Sequence, residues 1–529
     1  MRVALMDTAL QASEDLFAVA ARLGCDGVEV SLTRADLRGA GPESLARRRE
    51  SHGLEIHALV LGEHNHGGLA DADPTVREAA AEDVRAAIGW ASAVGAGVVL
   101  VPFFLRGEIV DDDGFDRCAE ELAALCPRAA EHGVTLCFEG LLAAREIRRL
   151  AELVGSQRFG AYVDLANPLR RALDTPTEIR SLRELVTRVH VKDILATPGD
   201  VHLGLGRVDF TECARALEEI GYDVWLTLET PTSPSPLVAR DLSYARAAFG
   251  LGNPRPWPRF AAMTHELAPS GFAELGERAA ALGLDSVQLG GDLLSACVAS
   301  PERTEDGRRT LADHGVELAG LAGYRNLVAP DPDVREANIA YIGRCLELAP
   351  TLGTHVIATE TGTRNPAGDW VDTPENWRDE AWRLLDDALG RLVPIAERAG
   401  TILALEGYVK NVLKTQSQLL GVLERFPSAH LQVVCDPYNY VARDLVPAQV
   451  RATAELLHRF EDRFVLAHLK DVAADGAHEG TPELGQGIFD QPPYLAFLRD
   501  RRPDLDLVLE HLPPEHIPRV IETVRRLAA

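Results

Sequence analysis

Lysine is nearly missing from this 529-residue chain. Of its 54 basic residues only Lys192, Lys410, Lys414 and Lys470 are lysines; the rest are arginine. Arginine and alanine dominance of this kind fits coding bias, so each lysine that remains is informative. Positive charge is short overall: 80 acidic residues against 54 basic ones leave a net charge of −26. Such a surface repels phosphate backbones and argues against a nucleic-acid partner. No stretch approaches the roughly 18 unbroken apolar residues of a membrane span, so no membrane partner is expected either. The opening MRVALMDTALQASEDLF has one basic residue, and Asp7 cuts its apolar run short, so no signal peptide is expected in it. The eight cysteines are scattered without a CxxC pair, which excludes a disulfide framework or zinc ribbon and fits reduced thiols in a cytoplasmic protein.

What the chain has is an internal repeat. Short runs rich in Val, Leu and Ile alternate with Ala/Leu/Arg/Glu segments of helical spacing. The first half predicts strands at 2–6, 27–32, 55–61, 98–103, 135–140, 159–164, 188–193 and 224–230. The second predicts them at 259–264, 286–291, 317–323, 354–361, 402–407, 431–436, 464–471 and 505–511. Helical segments match between halves, as at 15–24 with 271–283 and 120–133 with 384–400. Strand–helix alternation implies parallel strands with right-handed crossovers, and eight strands over about 250 residues is the size of a closed barrel. The expected fold is therefore α/β, two tandem (β/α)8 barrels, with an open doubly wound sheet as the alternative. GLGNPRPWPRF, with three prolines and two glycines, breaks helix. The expected organisation is a first barrel over 1–249, a linker over 250–258 and a second barrel over 259–529.

A parallel barrel builds its site at the C-terminal ends of its strands. Strands five to eight of the first half place Glu139, Asp164, His190 and Glu229 there; the second half places Glu406, Asp436, His468 and Glu510. An ionised acid ending a buried strand is costly unless compensated, and a divalent cation compensates it. Three carboxylates and an imidazole suit Mn²⁺ or Mg²⁺, with Co²⁺ or Zn²⁺ also accepted by such donors. Strand seven reads H-V-K-D and H-L-K-D, so His190 and Lys192, like His468 and Lys470, share a face. A lysine there either holds a substrate oxygen or orients a metal-bound carboxylate. LGLGRVDF (203–210) and LGQGIFD (484–490) follow, with glycines that let the backbone pass close to a ligand. Glu360, in TETGTRNP, ends strand four in the second half alone and is a candidate substrate contact. His64-Asn65-His66 resembles a metal pair in isolation, but reads better as a polar loop.

E-G, V-D, HxKD, LGxG and L-E-T or L-E-H at successive strand ends make each half resemble the xylose isomerase-like barrel superfamily, the sugar phosphate isomerase/epimerase group. The resemblance implies a tandem xylose isomerase-like architecture. In ketose epimerases of that group the strand-five and strand-eight glutamates bind the metal and act as the acid–base pair, and the Asp and His complete the shell. Carried over, the pairs are Glu139 with Glu229 and Glu406 with Glu510. The chain departs from the pattern where ketose epimerases carry a histidine three residues after the metal Asp; here those positions are Asn167 and Asn439, candidate hydroxyl contacts. The same departure argues against the related trinuclear-zinc endonucleases.

The chemistry expected is proton abstraction beside a carbonyl, giving an enediolate, with one carboxylate taking the proton and the other returning one to the opposite face. That describes an isomerase or epimerase of a sugar, keto-sugar or cyclitol. A lyase acting on an inosose, a dehydroshikimate-like compound or an oxidised glycoside begins with the same step, and a non-catalytic scaffold is the third reading. The two barrels are expected to pack on each other, and further assembly of identical chains stays open.

Overall fold

The protein was analysed as a computed structural model, which describes all residues except 40, 254–256 and 529. Part of the expected linker, 254–256, therefore lies outside the described residues. The chain divides into two compact units, Met1–Arg255 and Pro256–Ala529.

The first unit is a closed barrel of eight strands in sequential order. They are β1 (Arg2–Met6), β2 (Gly27–Ser31), β3 (Glu55–Val60), β4 (Val98–Phe103), β5 (Thr135–Gly140), β6 (Phe159–Asp164), β7 (Val186–Val191) and β8 (Trp225–Leu228). The second unit closes another eight: β9 (Arg259–Met263), β10 (Ser286–Leu289), β11 (Glu317–Ala322), β12 (Val356–Glu360), β13 (Ile402–Glu406), β14 (Leu431–Cys435), β15 (Phe464–Leu469) and β16 (Asp506–Leu509). β1 pairs in parallel with β8, and β9 with β16, which closes each ring.

Local sequence explains the repeat. The helix Pro74–Val94 starts on Asp73, whose side chain accepts from Thr75 N–H, and stops at left-handed Gly95. Its counterpart Pro332–Leu352 starts on Asp331 and stops at left-handed Gly353. Both carry proline in the first turn, where its missing N–H costs nothing. β4 and β6 are buried along their whole length, as expected when helices cover the outside of a parallel barrel. Met6, Ala58, Val60, Val98, Leu100, Cys137 and Tyr162 form a separate buried cluster from inward-facing strand positions of the first barrel. All eight cysteines are free and buried. Among the described residues no helix is long and apolar enough to cross a membrane.

Candidate active sites

The strand ends converge as the repeat requires. In the first barrel β5 and β6 carry Glu139 and Asp164, β7 carries His190, and Glu229 follows β8. One ligand atom from each of the four lies within 4.8 Å of the others. His190 Nδ1 stands 3.1 Å from Glu139 Oε1 and 2.9 Å from Glu229 Oε2. Asp164 Oδ1 is held by the backbone N–H groups of Ala166 and Asn167, at 2.7 and 2.8 Å. Asp164 Oδ2 and Glu229 Oε2 are buried oxygens that no well-formed hydrogen bond satisfies.

In the second barrel Glu406, Asp436 and His468 meet the same 4.8 Å criterion. Glu510 is drawn aside. Its Oε1 lies 3.4 Å from His468 Nδ1, while its Oε2 accepts from Lys470 at 2.7 Å. Lys470 Nζ is equally 2.7 Å from Asp436 Oδ2. Lys192 sits alike, 3.2 Å from Asp164 Oδ2 and 2.6 Å from Glu229 Oε1. Both ammonium groups are thus engaged by the strand-six and strand-eight carboxylates. The other two lysines lie in the loop after β13, over the rings of Tyr408 and Trp377.

This arrangement splits the two glutamates. Burial pushes the Glu139 carboxyl up to about 7, against the pull of His190. Burial opposes ionisation of Glu229 too, but Lys192 and His190 overcome it and bring the group down to about 2. The second barrel repeats the split: burial raises Glu406, whereas His468 and Lys470 lower Glu510 against burial. A buried pair with opposed proton affinities suits one proton donor and one acceptor. Burial alone would lower His190 and His468, yet the surrounding carboxylates hold both imidazoles well above their usual range. Carboxylate oxygens thus surround Nδ1 in each barrel, and the donor set there fits a divalent cation.

Searching strand ends alone misses what stands behind the histidines. Glu29 on β2 and Gln288 on β10 are both 0% exposed, inside the barrels. Glu29 Oε1 accepts from His190 Nε2 at 2.7 Å, and Tyr162 donates its hydroxyl to Glu29. Gln288 Oε1 stands 3.1 Å from His468 Nε2. Each Nε2–H is thereby committed, which leaves Nδ1 for a metal. The signal was a polar residue within an apolar strand at the same register in both halves, G-V-E-V-S and S-V-Q-L.

The glycine loops need a correction. Their backbone approaches a carboxylate of the protein. Asp193, two residues beyond Val191, accepts from the backbone N–H groups of Ile194, Gly204, Gly206 and Val208 at 2.8–3.1 Å. Asp471 gathers Val472, Gly485 and Phe489 at 2.8–3.0 Å. A Cβ on Gly206 or Gly487 would collide with that carboxylate. His64 is buried with Nε2 3.6 Å from Asp83 Oδ2, so it faces a helix rather than the quartet.

Asn439 donates Nδ2–H to Glu406 Oε1 at 2.6 Å, and Tyr324 donates its hydroxyl to Glu406 Oε2 at 2.7 Å. Asn167 reaches Asp164 through its backbone. Glu360 is pinned through Oε2 by Trp370 Nε1 at 2.8 Å and Asn411 Nδ2 at 2.7 Å. A cavity of about 510 Å³ opens over the second site, lined by Tyr324, Glu360, Trp370, Glu406, Lys470 and Glu510 among others.

One family model, the xylose isomerase-like TIM barrel, matches the chain twice, over residues 17–248 and 277–527. The chain belongs to that family. A relative in an Actinoplanes species, 2-epi-5-epi-valiolone 7-phosphate 2-epimerase, is 30% identical over 183 residues, 33% of this chain and 66% of the relative, just under two thirds of its length. L-ribulose-5-phosphate 3-epimerase of Salmonella paratyphi A is 26% identical over 251 residues, 43% of this chain and 87% of the relative. Among solved structures, D-psicose 3-epimerase from Clostridium cellulolyticum H10 covers 47% of this chain and 99% of its own, with 14% identity and a TM-score of 0.42. Each of these alignments covers less than half of the chain.

Proposed function

We propose that the chain is a divalent-metal-dependent isomerase or epimerase of a sugar, keto-sugar or cyclitol. The observation that carries this reading is that in each barrel the strand-five and strand-eight glutamates face one imidazole nitrogen with opposite displacements of their proton affinity. That the curated relatives are named epimerases of a sugar phosphate and a cyclitol phosphate supports it.

Glu139, Asp164, His190 and Glu229 would hold the ion in the first barrel, and Glu406, Asp436, His468 and Glu510 in the second. Mn²⁺ or Mg²⁺ suits these donors best, and Co²⁺ or Zn²⁺ is chemically acceptable. When bound, the cation supplies the positive charge that makes the carbon next to a chelated carbonyl acidic. The strand-eight glutamate, kept ionised by its lysine, takes that proton; the strand-five glutamate, which holds its own proton more tightly, delivers one to the opposite face. Lys192 and Lys470 set the charge of the base and stand at the substrate's edge. Asn439 orients the strand-five acid, Asn167 occupies the equivalent place, and Glu360 contacts substrate in the second barrel.

The test is incubation of the metal-loaded protein with candidate ketoses in D₂O. Deuterium at the α-carbon without loss of mass elsewhere is expected. Loss of water or of an aglycone would replace isomerisation by elimination. Glu139→Gln and Glu406→Gln, made separately, are each expected to leave part of the exchange summed over the ketoses; abolition of all exchange by one alone contradicts independent sites.

A further inference from the structure

We propose that the two barrels act on different substrates, and that Glu360 sets the second apart by hydrogen-bonding a hydroxyl of its sugar or cyclitol through Oε1. The inference rests on the proton-transfer reading above.

Strand register makes the comparison direct. On the neighbouring strand, Glu360 pairs with Glu406 in the second barrel, whereas Pro102 pairs with Glu139 in the first. A carboxyl group beside the strand-five acid therefore exists in one barrel and is replaced by a ring without a donor or a side-chain acceptor in the other. The difference extends along the wall. Tyr324 follows β11 at the place where Gly62 follows β3, and Tyr408 stands two residues past Glu406 where Leu141 stands two past Glu139.

The Glu360 carboxyl group is built to present one oxygen. Two donors on Oε2, from Trp370 and Asn411, fix its rotation. Oε1 has no hydrogen-bond partner among the described residues, and Glu360 lines the same cavity as Glu406 and Glu510. Both protein donors are spent on the one oxygen, so the other is left to a hydroxyl that arrives with the ligand, which can pair with a carboxyl oxygen as donor or as acceptor. Trp370 is 52% exposed at this rim, a large ring held in place by its bond to Glu360. An aromatic face beside a carboxylate is a surface that suits the C–H face and the hydroxyl edge of a sugar ring together. The first barrel offers carbon surface at the matching place, so its substrate carries no hydroxyl that must be recognised there.

The experiment uses the full chain loaded with Mn²⁺. One form silences the first barrel with Glu139→Gln and Glu229→Gln; the other silences the second with Glu406→Gln and Glu510→Gln. Both are assayed for α-carbon deuterium exchange with D-fructose, D-psicose and a keto-inositol. The two forms are expected to rank these ketones differently. In the form whose second barrel works, Glu360→Gln is expected to raise KM about tenfold and Glu360→Ala about 100-fold, with kcat changed less. Metal content is expected to stay at the parent's level in both variants, which separates loss of a substrate contact from loss of structure. The same ranking in both forms, or a KM within about twofold of the parent for Glu360→Ala, overturns the inference alone. No exchange with any ketone by the unsubstituted chain overturns the proton-transfer reading, and this inference with it.

Discussion

Single side chains decide how each site is charged. Lys192 keeps Glu229 ionised against burial. With the second barrel silenced by Glu406→Gln, Lys192→Met is expected to lower first-barrel exchange by about 100-fold and to move the acid limb of its pH profile upward, because burial then pushes Glu229 up. An unmoved acid limb would remove the lysine from that role. Behind the histidines the barrels differ by one charge: Glu29 accepts from His190, Gln288 from His468. A carboxylate acceptor raises the basicity of a ligating imidazole more than an amide does. The first site is therefore expected to bind Mn²⁺ about tenfold more tightly than the second, and Glu29→Gln to erase the difference. Competition titration with a coloured chelator reads both steps. Glu29 shows where reading the sequence fell short. A lone acid inside an apolar run looks like one outward position of a strand, and only the closed barrel reveals that it faces inward on a histidine.

Elements were the most legible level. All sixteen strands were marked by apolar runs, and the matching helix stops by glycine. β7 is shifted by two residues: it spans Val186–Val191, not 188–193, because the strand takes in Val186 and the polar Thr187 and ends before Lys192. The H-x-K-D segment thus leaves the strand after Val191, which frees Asp193 to fold the following loop by accepting backbone N–H groups. Sequence spacing alone could not show this, since a buried aspartate and a ligand call for the same glycines. Gly206→Ala is expected to cost about 1–3 kcal/mol in denaturant unfolding, because its Cβ meets the Asp193 carboxylate and the Ile194 carbonyl. Gly89→Ala, in the helix Pro74–Val94 with open space around it, is expected to be neutral or stabilising. Equal destabilisation by the two would remove the collision as the cause.

At the scale of the whole molecule, buried acids tie stability to pH and metal. Burial is the largest cause that pushes Glu139 up to about 7, and Glu266 and Glu360 up to about 8, from a usual 4.5; the neighbouring Glu510 and Glu406 add to the last two. Groups raised in this sense hold their proton more tightly when folded, so their contribution is full below 4.5 and is lost as pH climbs through 7 and 8. His190 and His468, raised above 6.5, have the same sign and lose their contribution above that pH. Glu229 and Asp436 are lowered, so their contribution is already full by pH 5 and constant above it. The melting temperature of metal-stripped protein is therefore expected to fall between pH 5 and pH 8, and added Mn²⁺ to restore most of it at pH 8. A flat or rising profile would contradict these proton affinities. The claim that joins fold to chemistry is that each barrel carries its own metal quartet. Elemental analysis of Mn²⁺-reconstituted, desalted protein tests it most directly. About two ions per chain are expected, falling to about one in His190→Ala and in His468→Ala. Fewer than about 0.2 ions in the unsubstituted chain would contradict it.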